Sequence, residues 1–122
     1  MTASVVTVLV AIALPASARE NRCGWYMNPT PGNLLLLDKD DEWWITSQMQ
    51  GNGPDAEGAD AKAPNFDDKQ YVKTQSNGYG YGCACLDVET DPKAKKITKV
   101  YGGTIKPIAQ CKADKSLPAP DM

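Results

Sequence analysis

The segment 79–86, with the sequence YGYGCACL, constrains the fold more than any other because it holds two of the four cysteines. Read as a β-strand, it places alternate side chains on opposite faces. One face then carries Tyr79, Tyr81, Cys83 and Cys85, while the other carries two glycines, an alanine and a leucine. Both sulfur atoms point to the same side, so two cysteine-bearing segments from elsewhere in the chain must meet on that face.

The first 18 residues predict a signal peptide that is cleaved near Ala18. Residues 5–14 form an apolar run of the length expected for a signal-peptide core, Pro15 ends the run, and residues 16–18 form a small-x-small cleavage site. The apolar run is too short to cross a bilayer. We therefore expect an exported protein without membrane insertion, located in the periplasm or secreted.

Four cysteines in an exported domain of this size predict two disulfides. A bridge between Cys83 and Cys85 is disfavoured, because strand neighbours two apart hold their β-carbons well beyond the ~4 Å that a disulfide spans. Cys23 and Cys111, from opposite ends of the domain, then each bond one of that pair. We favour Cys23–Cys83 with Cys85–Cys111, and Cys23–Cys85 with Cys83–Cys111 is the open alternative.

The Cys-Ala-Cys pair has a second interpretation, as a thiol–disulfide redox site that uses Cys83 and Cys85. Redox cysteines usually need an electropositive setting that lowers the thiol pKa, whereas Tyr, Gly and Ala surround these two. A four-thiolate zinc site is disfavoured by export and by the single Cys-x-Cys spacing. We therefore interpret the four cysteines as structural and predict neither a metal nor a cofactor.

The mature chain predicts a single all-β domain at 19–112, a small antiparallel barrel or sandwich of five to six short strands stapled by disulfides. No segment of any length shows helical periodicity, and residues 113–122, with two prolines and little to bury, predict a flexible tail. Besides the cysteine segment, strands are expected at 22–26 (an edge strand), 33–38, 42–48, 70–75 and 97–101, with a further extended stretch from 104 to 111.

Two connections in the first half of the chain are expected to be irregular. Residues 28–32 hold two prolines and a glycine, which oppose regular structure. Residues 49–68 are rich in Gly, Asp, Ala and Asn and have almost no apolar periodicity. Loops of that length are usually mobile or functional. We expect a bare surface loop whose only large anchor is Phe66.

The Asn-Gly pair at 77–78 predicts a two-residue hairpin turn, because both positions of that turn need positive φ. The resulting register places Tyr71 opposite Ala84.

The strand that carries Cys83 and Cys85 changes its apolar face beyond Cys85. Leu86 and Val88 lie on the glycine face, whereas Asp87 and Glu89 lie on the cysteine face. Either a bulge near Cys85 swaps the faces or a covering segment tied by the disulfides ends there, and we favour the cover.

The charge and composition disfavour several functions. Fifteen acids against 13 bases give a net charge of −2, which argues against non-specific binding to nucleic acid or anionic membranes. The chain has no histidine, which removes Ser-His and Cys-His nucleophile systems. No pair of carboxylates stands out as catalytic. We therefore predict that the protein is not an enzyme.

Aromatic residues are the remaining candidates for a binding surface, since Trp and Tyr are enriched at recognition surfaces. The candidate ligand-binding residues are Trp44, Trp25, Tyr79 and Tyr81. We expect most of them to be core. The alternation along 42–48 buries Trp43 and leaves Trp44 nearer to water.

Five motifs are spread over nearly the whole mature chain: RCGW at 22–25, NPTP at 28–31, EW at 42–43, GYGYGCAC at 78–85 and AQCKAD at 109–114. Together they resemble a family of short exported bacterial proteins that is classed as a domain of unknown function. The resemblance implies a bacterial periplasmic or secreted protein. It carries no assigned activity.

The expected function is that of a non-catalytic exported β domain that binds a protein or cell-envelope ligand through exposed aromatics and the loop at 49–68. One alternative is inhibition of lysozyme-type muramidases. The periplasmic lysozyme inhibitors are similar in size and compartment, and residues 76–81 approximate their Ser-Gly-x-x-Tyr loop. The other alternative is the thiol–disulfide redox protein.

Overall fold

The computed structural model describes residues 2–8, 18–49 and 53–120. The predicted signal-peptide core and cleavage site fall largely outside these ranges. The all-β class is confirmed, because six strands dominate the described residues and the one α-helix among them is short. The elements are β1 (Glu20–Thr30), β2 (Asn33–Leu37), β3 (Glu42–Thr46), a 3-10 helix (Asp68–Gln70), β4 (Tyr71–Lys73), β5 (Gly80–Asp91), β6 (Lys96–Lys106) and α1 (Ile108–Ala113).

The sheet closes on itself into a barrel. The strand order is β1-β2-β3-β6-β5-β4, and β1 also pairs with β5 along nine residues from Glu20↔Val88 to Asn28↔Gly80. Neighbours are antiparallel except β3 and β6, which meet in parallel at Trp44↔Lys96. β1, β2 and β3 are consecutive neighbours, and β5 returns to lie beside β1. This arrangement is a Greek key. Of the two predicted architectures the barrel is therefore the observed one, a five-stranded Greek-key barrel like that of the OB-fold class.

The gap between β3 and β6 is filled by the long connection, the segment that runs from the end of β3 at Thr46 to the 3-10 helix at Asp68. The Ala56 amide donates to the Ile45 carbonyl at 2.9 Å, and the Glu57 amide donates to the Thr98 carbonyl at 3.0 Å. Ala56 and Ala59 are buried in the barrel core. The expectation of a bare surface loop is wrong here, because the unpaired backbone groups of two diverging strands need partners and this segment supplies them.

Two hydrophobic clusters lie on opposite sides of β5. The barrel core includes Ala84, Leu86 and Val88 of β5. The outer cluster lies between the barrel wall and the C-terminal segment. It consists of Trp25, Met27, Leu35, Cys83 and Cys111, with Leu37, Trp44, Tyr81, Ile108 and Leu117 packed against it. The predicted cover is therefore confirmed, with α1 and the residues after it lying over the cysteine face.

The disulfides join Cys23 to Cys85 and Cys83 to Cys111, and the described residues hold no free cysteine. The favoured pairing was wrong, and the alternative is the one observed. The register of β1 on β5 decides it, because Cys23 lies directly opposite Cys85 with the Cα atoms 4.0 Å apart. Cys83 therefore bonds Cys111, at a Cα–Cα distance of 5.8 Å.

β1 differs from its prediction in length and in position. It runs to Thr30 rather than ending at Tyr26, and it is an interior strand paired with both β2 and β5. Pro29 is accommodated where the register with β2 shifts, between Met27 and Thr30. A proline lacks the amide that a ladder requires, and an irregularity of this kind tolerates it.

The β4–β5 hairpin has the predicted turn residues but a longer loop. Asn77 and Gly78 have φ of 67° and 83°, while the Thr74 amide donates to the Tyr79 carbonyl at 3.0 Å and closes a four-residue loop. The predicted register was therefore wrong by two residues, and Tyr71 lies opposite Gly82 instead of Ala84. A shift of two leaves every side chain on its predicted face.

The C-terminal segment is a helix where an extended stretch was predicted. Pro107 precedes α1, and the bound cysteine Cys111 lies in its middle. Leu117 packs against the outer cluster, so the expectation that the tail has little to bury does not hold at this residue. Asp114 and Leu117 lie beside Asn21 and Asp40 around a small cavity. Within the described residues no helix has the length and apolar character to cross a membrane.

Candidate functional site

The predicted aromatic residues fall into two places. Trp25 is 3% exposed and packs edge-to-face against Tyr81, with ring centroids 5.3 Å apart. Trp44 and Tyr81 are half-buried against the same outer cluster. Tyr79 lies apart from them, on the wall of a cavity at one end of the barrel. The C-terminal segment thus covers Trp25. Trp44 borders a small pocket beside Lys96, and Tyr79 borders the larger concave surface at the end of the barrel.

That concave surface, called the mouth groove below, consists of two adjoining cavities of about 680 and 500 Å³. Both cavities are bordered by Asn28, Leu34, Ala59 and Asp60, so they form one continuous depression. Volumes in this range are typical of ligand sites. The residues used below are Tyr26, Asn28 and Leu34 of β1 and β2, Asp55, Ala59, Asp60 and Phe66 of the long connection, and Asp68, Tyr71, Lys73 and Tyr79 around the β4–β5 hairpin.

Small residues allow the long connection to approach the barrel closely. Gly58 has φ of 79°, and a β-carbon there would lie 2.4 Å from the Val100 carbonyl oxygen. A β-carbon on Gly82 would lie 2.4 Å from the Phe66 ring. Glycine is therefore required at both places for the groove wall to lie where it does.

Three aromatic rings form a row beneath the second cavity. Phe66 packs against Tyr26 with ring centroids 5.5 Å apart and against Tyr71 with centroids 5.4 Å apart. The Tyr71 hydroxyl donates to the Gly78 carbonyl at 2.7 Å, which ties the ring to the hairpin loop. Burial raises the pKa of Tyr71, opposed by a hydrogen bond with Asn28. The three rings form an apolar floor for the groove, and their mutual packing holds them in place.

The Tyr26 hydroxyl is the unusual polar group of the groove. Tyr26 is only 7% exposed, and among the described residues its hydroxyl has no hydrogen-bond partner, although buried tyrosines usually find one. Burial, with smaller contributions from Tyr71 and Asp60, raises the pKa of Tyr26 to about 12. The phenol therefore stays neutral at physiological pH and is free to bind a ligand.

The groove carries more negative than positive charge. Asp55, Asp60 and Asp68 border it, and Lys73 is the one basic residue among the described residues that line the two cavities. Lys73 already pairs with Asp68 at 3.5 Å. Asp60 is exposed and has no ion-pair partner among the described residues. The unbalanced negative charge is thus concentrated near Asp60 and Asp55.

A second polar cluster closes the opposite end of the barrel. Asp38 is 3% exposed, and its carboxylate accepts hydrogen bonds from the Trp43 indole at 3.0 Å and from Arg22 at 2.8 Å. Two backbone amides of the β2–β3 turn also donate to it at 2.9 Å. Burial opposes ionisation of Asp38, but these donors outweigh it and hold its pKa below the usual value. The carboxylate has its partners already, so this cluster is structural.

The described residues contain no cluster of three or more His, Cys, Asp or Glu suited to a metal ion. Of the groove residues, Tyr79 was predicted from the sequence to bind a ligand, whereas Asn28 and Asp60 were not. The one available signal was the length of the 49–68 loop, which marked the region without marking residues.

These features define a class: a small Greek-key barrel, stapled by two disulfides, with a polar and aromatic groove at its mouth. The family model described as a protein of unknown function (DUF4087) matches residues 17–118, and the chain belongs to that family. The family resemblance found in the sequence is thereby confirmed. No curated protein and no solved structure matches the chain.

Proposed function

We propose that the protein is a non-catalytic binding domain, exported to the bacterial periplasm or secreted, that holds a protein or cell-envelope ligand in the mouth groove. The observation that carries this proposal is the Tyr26 hydroxyl, which lines the groove and has no hydrogen-bond partner among the described residues, on a residue that is otherwise buried. A phenol hydroxyl can both donate and accept a hydrogen bond. A ligand in the groove can therefore bond it.

Export is supported by the apolar leader and by the two disulfides, since disulfides persist in oxidising compartments. The groove supports binding better than the tryptophans do, because Trp25 lies under the C-terminal segment. A part in binding for the long connection is supported by its position, since it supplies Asp55, Asp60 and Phe66 to the groove.

The disulfide pattern favours binding over the redox alternative. A redox pair made of Cys83 and Cys85 would exchange electrons through a bond between these two sulfurs, and each is bonded elsewhere. The muramidase-inhibitor alternative draws support from the hairpin, because Gly78 and Tyr79 of the inhibitor-like segment border the groove. Adding the purified protein to a muramidase assay tests it, and unchanged turnover would discard it.

Site-specific photo-crosslinking in exporting cells tests the groove as a binding site. A photoreactive amino acid replaces Tyr79 on the groove wall, and in a matched control it replaces the exposed Glu42, which is not among the groove residues. We expect a crosslinked species from the Tyr79 position alone. The same species from both positions, or none from Tyr79, would contradict binding in the groove.

A further inference from the structure

On the basis of the proposed function, we infer that the mouth groove binds a lysine side chain presented by a segment of a partner polypeptide. Its ammonium group lies between the Asp60 carboxylate and the Tyr26 hydroxyl. Its aliphatic stem lies on the apolar floor beside Phe66. Three independent features of the groove point to this chemistry.

The first feature is charge complementarity. Asp55 and Asp60 border the groove without a basic neighbour among the described residues that line it, because Lys73 already pairs with Asp68. Carboxylates in a concave surface concentrate the field in the cleft and attract cations. An anionic ligand such as a phosphate group would meet repulsion here.

The second feature is the Tyr26 hydroxyl. Tyr26 is a buried residue whose hydroxyl has no hydrogen-bond partner among the described residues and stays neutral, and it lines the same cavity as Asp60. An ammonium group has three N–H donors and no acceptor, so one group can donate to the carboxylate and to the phenol oxygen together. A hydrogen bond from a charged donor is stronger than one between neutral groups.

The third feature is the floor. Leu34, Ala59, Phe66 and Tyr71 give the second cavity an apolar surface beside the carboxylate. A lysine combines an apolar four-carbon stem with a charged head, and such side chains lay the stem along apolar surface while the head stays at the rim. An amino sugar offers the charge without the stem. The ring of Tyr71 also attracts a cation.

The test uses the purified oxidised protein and short capped peptides that are uncharged except for one central lysine. NMR titration reports both affinity and the residues that shift. We expect the lysine peptide to shift resonances of Tyr26 and Asp60, and the same peptide with acetyl-lysine to bind about tenfold more weakly. A glucosamine oligomer, which is cationic without an aliphatic stem, is expected to bind more weakly than the lysine peptide.

Four variants sharpen the test. Asp60→Asn and Tyr26→Phe are each expected to weaken lysine-peptide binding, the first by about tenfold. Tyr26→Phe removes a hydroxyl that has no partner among the described residues, so its unfolding midpoint should not fall. Lys73→Gln removes the opposing charge and should tighten binding by about twofold. Glu42→Gln, the matched control, should change nothing.

The outcomes separate this inference from the proposed function. Equal binding of the lysine and acetyl-lysine peptides, tighter binding of the glucosamine oligomer, or no effect of Asp60→Asn overturns the lysine inference. In each of these cases shifts at groove residues would still support the groove as a binding site. Crosslinking from Tyr79 combined with no peptide binding at the groove would likewise overturn lysine recognition alone.

Discussion

Cys23 and Cys85 face each other directly across β1 and β5, with their Cα atoms 4.0 Å apart and their sulfur atoms bonded. Cys23 is exposed, whereas Cys83 and Cys111 of the second bridge are both buried. The two disulfides both involve β5, but they differ in solvent exposure.

We expect a mild thiol reductant to open Cys23–Cys85 before Cys83–Cys111, because exchange requires a thiolate to reach a sulfur atom. Alkylation at intervals, followed by mass spectrometry of the peptides, gives the order. Opening of the buried bridge first would show that burial does not control access in this protein.

Full reduction is expected to unfold most of the protein. The bridges span 62 and 28 residues, and chain entropy assigns them about 4 and 3.5 kcal/mol. Their sum is comparable to the total stability of a small domain. Far-UV circular dichroism in urea, with and without reductant, measures the loss. An unchanged urea midpoint would contradict a structural role for the bridges.

The Asp38 carboxylate makes stability depend on pH at the acid end. Its pKa lies below the usual value in the folded protein, so the unfolded chain binds the proton first as pH falls. The stabilisation is present above the unfolded pKa of about 3.9 and is lost as pH drops through the lower folded value. Urea unfolding from pH 6 to pH 2 should show this loss, and Asp38→Asn should lessen it.

Asp38→Asn is also expected to lower stability at neutral pH by about 3 kcal/mol, because it breaks a buried ion pair with Arg22. Asp40→Asn is the matched control, since that carboxylate meets the same arginine at 3.3 Å but is half exposed. It should change the unfolding free energy little. Equal losses from the two variants would contradict a special role for the buried carboxylate.

Gly82→Ala is expected to destabilise the protein by about 2 kcal/mol. Its β-carbon would meet the Phe66 ring at 2.4 Å and the Gln70 carbonyl oxygen at 2.9 Å. Gly102→Ala is the control, because a β-carbon there meets nothing within 4 Å. Thermal unfolding of both variants measures the difference in stability. An equal effect would show that the Phe66 ring can move away without loss of stability.

Gly58→Ala should loosen the long connection from β6. It introduces a β-carbon 2.4 Å from the Val100 carbonyl oxygen at a residue with φ of 79°, a conformation that costs alanine about 1–2 kcal/mol. The Val100 amide donates to Glu57 at 2.8 Å, so its hydrogen exchange should accelerate. Unchanged exchange at Val100 would indicate that the connection absorbs the change elsewhere.

The features that the sequence predicted correctly are those that follow from the short repeat of side chains along a strand. Alternation along β5 gave the two faces, and alternation along β3 separated the buried Trp43 from the half-buried Trp44. Both follow from the two-residue repeat of a strand, which is visible without tertiary information. The cover over the cysteine face was predictable from the same repeat, because both faces of β5 are buried from Gly82 to Leu86 and only alternate residues are buried beyond Leu86.

The features that the sequence did not predict depend on register or on distant segments. Cys83 and Cys85 share a face, so only the pairing of β1 with β5 could choose between them. The six residues of α1 span fewer than two turns, too few to show a helical period. The groove combines Asn28, Asp60 and Tyr79, which no local pattern connects.

The C-terminal segment has a consequence for how the mouth groove is presented. Arg19 pairs with Asp87 near the last residues of β5, and Leu117 lies beside Asn21 and Asp40. Arg19 and Leu117 therefore both lie at the closed end of the barrel, while Asn28 and Gly80 mark the mouth. A tag, a solid support or a fused domain joined before Arg19 or after Leu117 would leave the groove unobstructed and pointing outward.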